Sequence, residues 1–148
     1  MQLHTLVYCS QAVRGIERRD LEQIARAAQR FNTRNNISGM LLYSNDMFIQ
    51  VLEGPLPMLE HLYERKIRLD RRHFDLERLM INPVKERRFG EWAMGVLDAS
   101  RSARLDREKL RFICDQAHND PAAAGRAALT VLKIFRKDLG PEGTQAAA

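Results

Sequence analysis

The chain has 148 residues, 45% of them hydrophobic, which is enough for one proper core and leaves little room for a second domain. Its net charge of +5 comes from 24 lysines and arginines against 19 acidic residues; the two signs are interleaved, as in Ile16-Glu-Arg-Arg-Asp20, which marks a solvated surface rather than a nucleic-acid face. No apolar run reaches the roughly 20 residues that cross a bilayer, and the opening Met-Gln-Leu-His lacks the layout of a signal peptide, so a cytoplasmic protein is expected.

Residues 2–9 alternate as a strand, with Leu3, Val7 and Cys9 on one side and His4, Leu6 and Tyr8 on the other. Cys9 and the distant Cys114 have no metal or redox spacing and read as small buried hydrophobes, so neither a disulfide nor a metal site is expected. After a polar turn at Gly15, residues 18–32 carry Leu21, Ile24, Ala25, Ala28 and Phe31 at helical spacing. Asn32 continues that stripe with an amide, either as a last-turn cap or as a functional group.

Residues 36–55 read as two apolar strands joined at Asn45-Asp46, a pair that tolerates the positive φ of a tight hairpin. Gly39, mid-strand, either weakens the strand or admits a close neighbour. In the second strand Phe48, Gln50 and Leu52 share a face, so Gln50 is a lone amide in an apolar row. Buried without partners it would cost about 1 to 3 kcal/mol, so backbone or a ligand must bond to it.

Gly54-Pro55-Leu56-Pro57 breaks the strand and starts a second helix, with Leu59, Leu62, Lys66, Leu69 and His73 near one face. Lys66 and Asp70, four apart, form a surface ion pair or line a polar ligand. Residues 74–82 and 91–97 are predicted strands forming a hairpin around a basic turn, with Trp92, Met94 and Val96 on one face. From residue 104 the pattern is helical; Pro121 starts the last helix and Gly140-Pro141 ends it.

Both faces of the central strands are apolar, so the sheet must be covered twice, by the first two helices on one face and the C-terminal pair on the other. The element order predicts an α+β fold, a ferredoxin-like sandwich (βαββαββ), with residues 1–98 as the sheet domain, 99–140 as the helical pair and 141–148 as a disordered tail. That fold is too widely reused to name a function. An RNA-binding module would need exposed aromatics in a glycine-aromatic pattern that is absent here, and a phosphatase would need a better anion loop than residues 10–14 offer.

Tyr8-Cys9-Ser10, Asn32, Asn36-Ile-Ser-Gly-Met-Leu-Leu-Tyr43, Phe48-Ile-Gln-Val-Leu-Glu-Gly54, Asp70-Arg-Arg-His73 and Arg88-Phe-Gly-Glu-Trp-Ala-Met94 keep their order and spacing from Leu3 to about Leu97. Together they resemble the BLUF family of blue-light sensors using FAD. The resemblance implies a photoreceptor, not an enzyme, whose residues 1–98 bind FAD non-covalently with the isoalloxazine ring between the two sheet-packed helices. It implies that Tyr8 and Gln50 lie on adjacent parallel strands beneath the ring, Tyr8 as light-driven electron and proton donor and Gln50 as the relay that rearranges or tautomerises. Asn32 would hold the pyrimidine edge, Ile24 and Phe48 would wall the ring, and Asp70, His73 and either Arg65 or Lys66 would lie near the flavin and its side chain. The basic position is left open between those two because Tyr63-Glu-Arg-Lys-Ile-Arg-Leu-Asp70 is one residue longer than the family's usual spacing.

Trp92 and Met94 are expected to carry the signal along the final strand into the C-terminal helices. No output domain follows residue 97, so signalling in trans is expected, from a homo-oligomer to a separate effector such as a cyclic-dinucleotide-turnover enzyme or a transcriptional regulator. No direct nucleic-acid or membrane partner is expected. The alternative is a small flavin-dependent redox enzyme, which would need a substrate pocket open to the flavin face.

Overall fold

A computed structural model of the chain describes residues 2–145, apart from the side chain at position 107. Strand β1 (Leu3–Ala12) leads through helix α1 (Arg18–Arg34) to β2 (Ser38–Ser44), which turns back at once into β3 (Met47–Pro55). Asn45 and Asp46 make that turn at φ 47° and 72°, the left-handed pair a two-residue hairpin needs. Helix α2 (Leu56–Leu62), with proline in its first turn, continues as a π-turn (Tyr63–Ile67) before β4 (His73–Val84). Then come β5 (Gly95–Asp98), α3 (Arg107–Gln116), α4 (Pro121–Phe135) and a 3-10 turn (Arg136–Asp138). Asp106 and Asp120 start α3 and α4 by accepting the N–H of Lys109 at 2.8 Å and of Ala123 at 3.1 Å.

The five strands lie in the order β4-β1-β3-β2-β5. As expected, both sheet faces are apolar and each has its own cover. Val7, Met40, Leu42, Ile49 and Val51 pack with α3 and α4, while Leu6, Tyr8, Leu41, Phe48 and Leu52 pack with α1 and α2. Cys9 and Cys114 are free thiols belonging to the first of these clusters. Gly39 is there for a close approach, since a Cβ on it would lie 2.2 Å from the Val51 carbonyl oxygen.

The topology corrects several expectations. β1 and β3 are antiparallel, not parallel, with Tyr8 directly opposite Gln50. The α1 crossover makes β1 and β2 run the same way, and the hairpin then reverses β3. The final strand does not pair with the one before it, because β4 joins β1 at one edge and β5 runs parallel to β2 at the other. The basic stretch between them is a crossover, held by a partner 35 residues away in sequence. The buried Glu53 carboxylate accepts the N–H of Arg88 at 2.9 and 3.0 Å and of Phe89 at 2.7 Å, while Arg87 donates to Ser38 Oγ and to the carbonyls of Glu53 and Asn36.

Trp92 and Met94 therefore precede β5 instead of lying on it, and they do not share a face. Trp92 packs in the cluster of α3 and α4, Met94 in that of α1 and α2. The tail expected to be disordered from residue 141 is ordered through residue 145. Trp92 Nε1 donates to the Gly140 carbonyl at 3.2 Å, Val96 N–H to that of Gly143 at 3.0 Å, and the Gln145 amide exchanges two hydrogen bonds with the Asp98 backbone. This strap has hardly any apolar side chains, so its order comes from tertiary contacts that no local pattern announces. The rest of the expected tail, residues 146–148, lies outside the described residues. No helix among the described residues is long and apolar enough to cross a membrane.

Candidate functional site

Between α1 and α2, on the sheet face that carries Tyr8, lies a cavity of about 390 Å³. Its floor is Tyr8, Leu41, Phe48 and Gln50; Ile24, Ala27, Ala28, Phe31 and Asn32 of α1 form one wall, and Leu62, Lys66 and Ile67 form the other. Leu69, Asp70, Arg72 and His73 complete the lining. The apolar wall on α1 follows from its helical stripe, and the floor from strand alternation across the Tyr8 and Gln50 register.

At the floor, Tyr8 Oη donates to Gln50 Oε1, and Gln50 Nε2 donates to Met94 Sδ at 3.2 Å. Chemistry fixes this amide orientation, because a half-turn would set the carbonyl oxygen against a thioether that has no proton to give. Burial is the main cause that pushes the Tyr8 phenol well above its ordinary pKa, with Tyr63, Asp70 and Cys9 acting the same way. Tyr63 and His73 meet the Tyr8 ring edge-on, at centroid distances of 5.7 and 6.2 Å.

Asn32 is fully buried, and its Nδ2 donates to the Ala93 carbonyl at 2.8 Å. A carbonyl only accepts, so Nδ2 is the bonded atom, and the buried Oδ1 is left with no hydrogen-bond partner among the described residues. At the rim, burial alone would raise the Asp70 pKa. Paired hydrogen bonds from Arg72, at 2.6 to 3.2 Å, outweigh burial and hold the carboxyl below its ordinary range. His73 Nε2 donates to the Ile67 carbonyl at 2.6 Å, which in the neutral ring leaves Nδ1 to accept from Ser10 Oγ at 2.8 Å.

The sequence model of the BLUF family, described as sensors of blue-light using FAD, matches residues 3–95. The chain belongs to the BLUF family. It is 45% identical over 93 residues to photoactivated adenylate cyclase subunit beta of Euglena longa, a match that covers 62% of this chain and 11% of that protein. The chain thus spans about a tenth of the length of the curated relatives it matches. Among solved structures, BlrB, a BLUF protein in its dark state, superposes with a TM-score of 0.68 at 28% identity, covering 91% of this chain and 95% of that one. The manganese and cy-diGMP complex of BlrP1 from Klebsiella pneumoniae superposes at 0.65 with 30% identity, covering 92% of this chain and 34% of that one.

FAD is the cofactor of BLUF sensors, and the residues present fit it. The cavity is walled by apolar side chains as a flavin ring requires, and the orphaned Asn32 Oδ1 suits a ring N–H. Of the residues singled out in the sequence, Tyr8, Ile24, Asn32, Phe48, Gln50, Lys66, Asp70 and His73 all line this one BLUF cavity. Met94 touches Gln50 as part of the same cluster, whereas Trp92 lies in the opposite layer. Arg65 is exposed and does not line the cavity.

The π-turn accounts for the difference between those two neighbours. The Arg68 N–H bonds to the Tyr63 carbonyl at 2.9 Å, five residues back, so this turn takes in one residue more than an α-helical turn. Lys66 is left 4.9 Å above the Phe31 ring, bridging α2 to α1. Sequence reasoning missed Arg72, Phe31, Ala27 and Ser10. The α1 stripe already held the signal for Phe31, and strand alternation from Tyr8 held that for Ser10; Arg72 depends on a turn with no such period.

Proposed function

We propose that the chain senses blue light through a hydrogen-bond change that starts at Tyr8, passes through Gln50 and leaves by Met94, and that it signals to a separate effector protein instead of catalysing a reaction. The observation that carries this reading is the unbroken line of contacts from Tyr8 Oη through the Gln50 amide to Met94 Sδ. Bound FAD supplies the absorption of blue light and an excited-state oxidant. Asn32 Oδ1 would accept from the N–H of the pyrimidine edge, Ile24 and Phe48 would wall the ring, and Lys66, Asp70 and His73 would lie along the rest of the cofactor.

With bound FAD as the electron acceptor, Tyr8 would lose an electron and its phenolic proton would pass through Gln50 Oε1, the acceptor it bonds, to the reduced flavin, because burial makes the phenolate alone costly. The Tyr8 oxygen would then have no proton to donate to Gln50 Oε1, and the amide would rotate or tautomerise. Rotation turns an acceptor toward the Met94 sulfur, so the two repel where they had been bonded. Met94 directly precedes β5 and hands the displacement to the sheet edge.

The Euglena cyclases and the Klebsiella cy-diGMP complex support an enzyme of cyclic-nucleotide or cyclic-dinucleotide turnover as the effector, engaged by a self-associated sensor. The test is absorption spectroscopy of purified, FAD-loaded protein. A small red shift under blue light that reverses in the dark is expected. Absence of the shift, or steady consumption of a nicotinamide reductant at the flavin, would overturn the reading.

A further inference from the structure

The outer face of α1 changes character half-way along. In its first half the arginines have acids beside them, Arg18 with Glu22 at 3.9 Å and Arg19 with Glu17 at 3.5 Å. In the second half Arg26, Arg30 and Arg34 follow at four-residue spacing. All three are exposed, no acidic residue follows Glu22 on the helix, and the side chain of none of the three has a hydrogen bond or ion pair among the described residues. Cations stacked in this way repel one another, and no acidic side chain among the described residues pairs with them. They form a slanting row about 12 Å long.

Gln29 stands among them, but its amide is turned to the switch, donating from Nε2 to the Met94 carbonyl at 3.2 Å. Met94 is thus gripped twice, its sulfur by Gln50 and its carbonyl by a residue flanked by the arginine row.

We propose that Arg26, Arg30 and Arg34 dock an acidic helical segment of a partner protein, and that Gln29, as a positioning residue, couples this face to the state of Gln50 through Met94. The light dependence rests on the photosensor reading; the docking face does not. Glutamates at every fourth position of a helix repeat at the same spacing of about 6 Å, and arginine forks bind carboxylates in pairs. A nucleic-acid backbone would call for a broader basic surface, whereas the rest of this one interleaves both signs.

The probe is a fluorescein-labelled helical peptide with glutamate at every fourth position, titrated against the FAD-loaded full chain in darkness and under blue light, beside a single-stranded DNA oligonucleotide. In darkness the Arg26→Gln, Arg30→Gln, Arg34→Gln triple variant is expected to bind the peptide at least tenfold more weakly, while Arg18→Gln with Arg19→Gln stays within twofold of wild type. Illumination is expected to change the wild-type Kd at least threefold, and Gln29→Leu to abolish that ratio while keeping the red shift. Equal peptide binding by the triple variant, or tighter binding of the oligonucleotide by the same row, overturns the docking face. A light-independent Kd in a sample with a full red shift overturns the coupling. A sample with no red shift overturns the photosensor reading and the coupling with it, and the dark comparison still decides the docking face.

Discussion

Tyr8, Gln50 and Met94 differ in the hydrogen-bonding roles they can exchange, and that difference gives the contact line its direction. A phenol donates or accepts, an amide does both at once, and a thioether only accepts. In the proposed mechanism a change begun at Tyr8 would reach Gln50 as a swap of its two ends or as a tautomerisation, and a swap would be unfavourable at Met94. Tyr8→Phe and Gln50→Leu are expected to keep FAD, since the walls still pack, and to lose the reversible red shift. A normal photocycle in either variant would remove this mechanism whatever the fold. Asp70 permits a second test. Its folded-state pKa is lowered, so its pairing with Arg72 stabilises the fold fully above the ordinary carboxyl pKa of 3.8 and is lost as pH falls through the lower folded value. Asp70→Asn should cost about 1 kcal/mol at neutral pH, and the gap to wild type should close in thermal melts as pH falls below 3.8 and through the lowered folded-state pKa. A gap that persists in acid would show that packing, not charge, fixes the rim.

The segment holding Trp92 and Met94 joins the two layers of the molecule. Being coil, it sends Met94 to the cavity side and Trp92 to the far side, where the indole donates to the Gly140 carbonyl and lies against Gly143. A Cβ on Gly143 would come within 2.9 Å of that ring, so strap and tryptophan are fitted to each other. Displacement of Met94 would thus be felt across the sheet edge by the strap. Met94→Ala, a buried truncation, is expected to cost roughly 2 to 5 kcal/mol. In protein that still folds and binds FAD it should keep the red shift and lose most light-induced change in amide exchange over residues 95–98 and 140–145. Unchanged light-dependent exchange there would send the signal through α1 and Gln29 instead.

At the scale of the whole molecule, one sheet separates a ligand-binding layer from a helical one, and the cofactor completes the first. FAD at a hundred times its Kd should stabilise the fold by about 2.7 kcal/mol, a rise of roughly 5 to 10 °C in Tm. A Tm indifferent to FAD would mean that the cavity is not where it binds. The amino-acid pattern alone determined the order of the elements and the two apolar sheet faces, because strand and helix periods project local sequence onto faces; the family resemblance, not the period, pointed to Tyr8, Ile24, Asn32, Phe48, Gln50, Asp70 and His73 at the cavity. The pattern also carried the family, since order and spacing survive over most of the domain. Tertiary structure alone decided the antiparallel register that sets Tyr8 opposite Gln50, the crossover of residues 85–94 and the choice of Lys66 over Arg65 at the cavity. It also decided the opposed directions of Trp92 and Met94 and the order of the strap. The crossover and the strap depend on partners far away in sequence, Glu53 and Trp92, and a local period holds no information about a distant partner, while the choice of Lys66 rests on a π-turn that departs from the regular helical period.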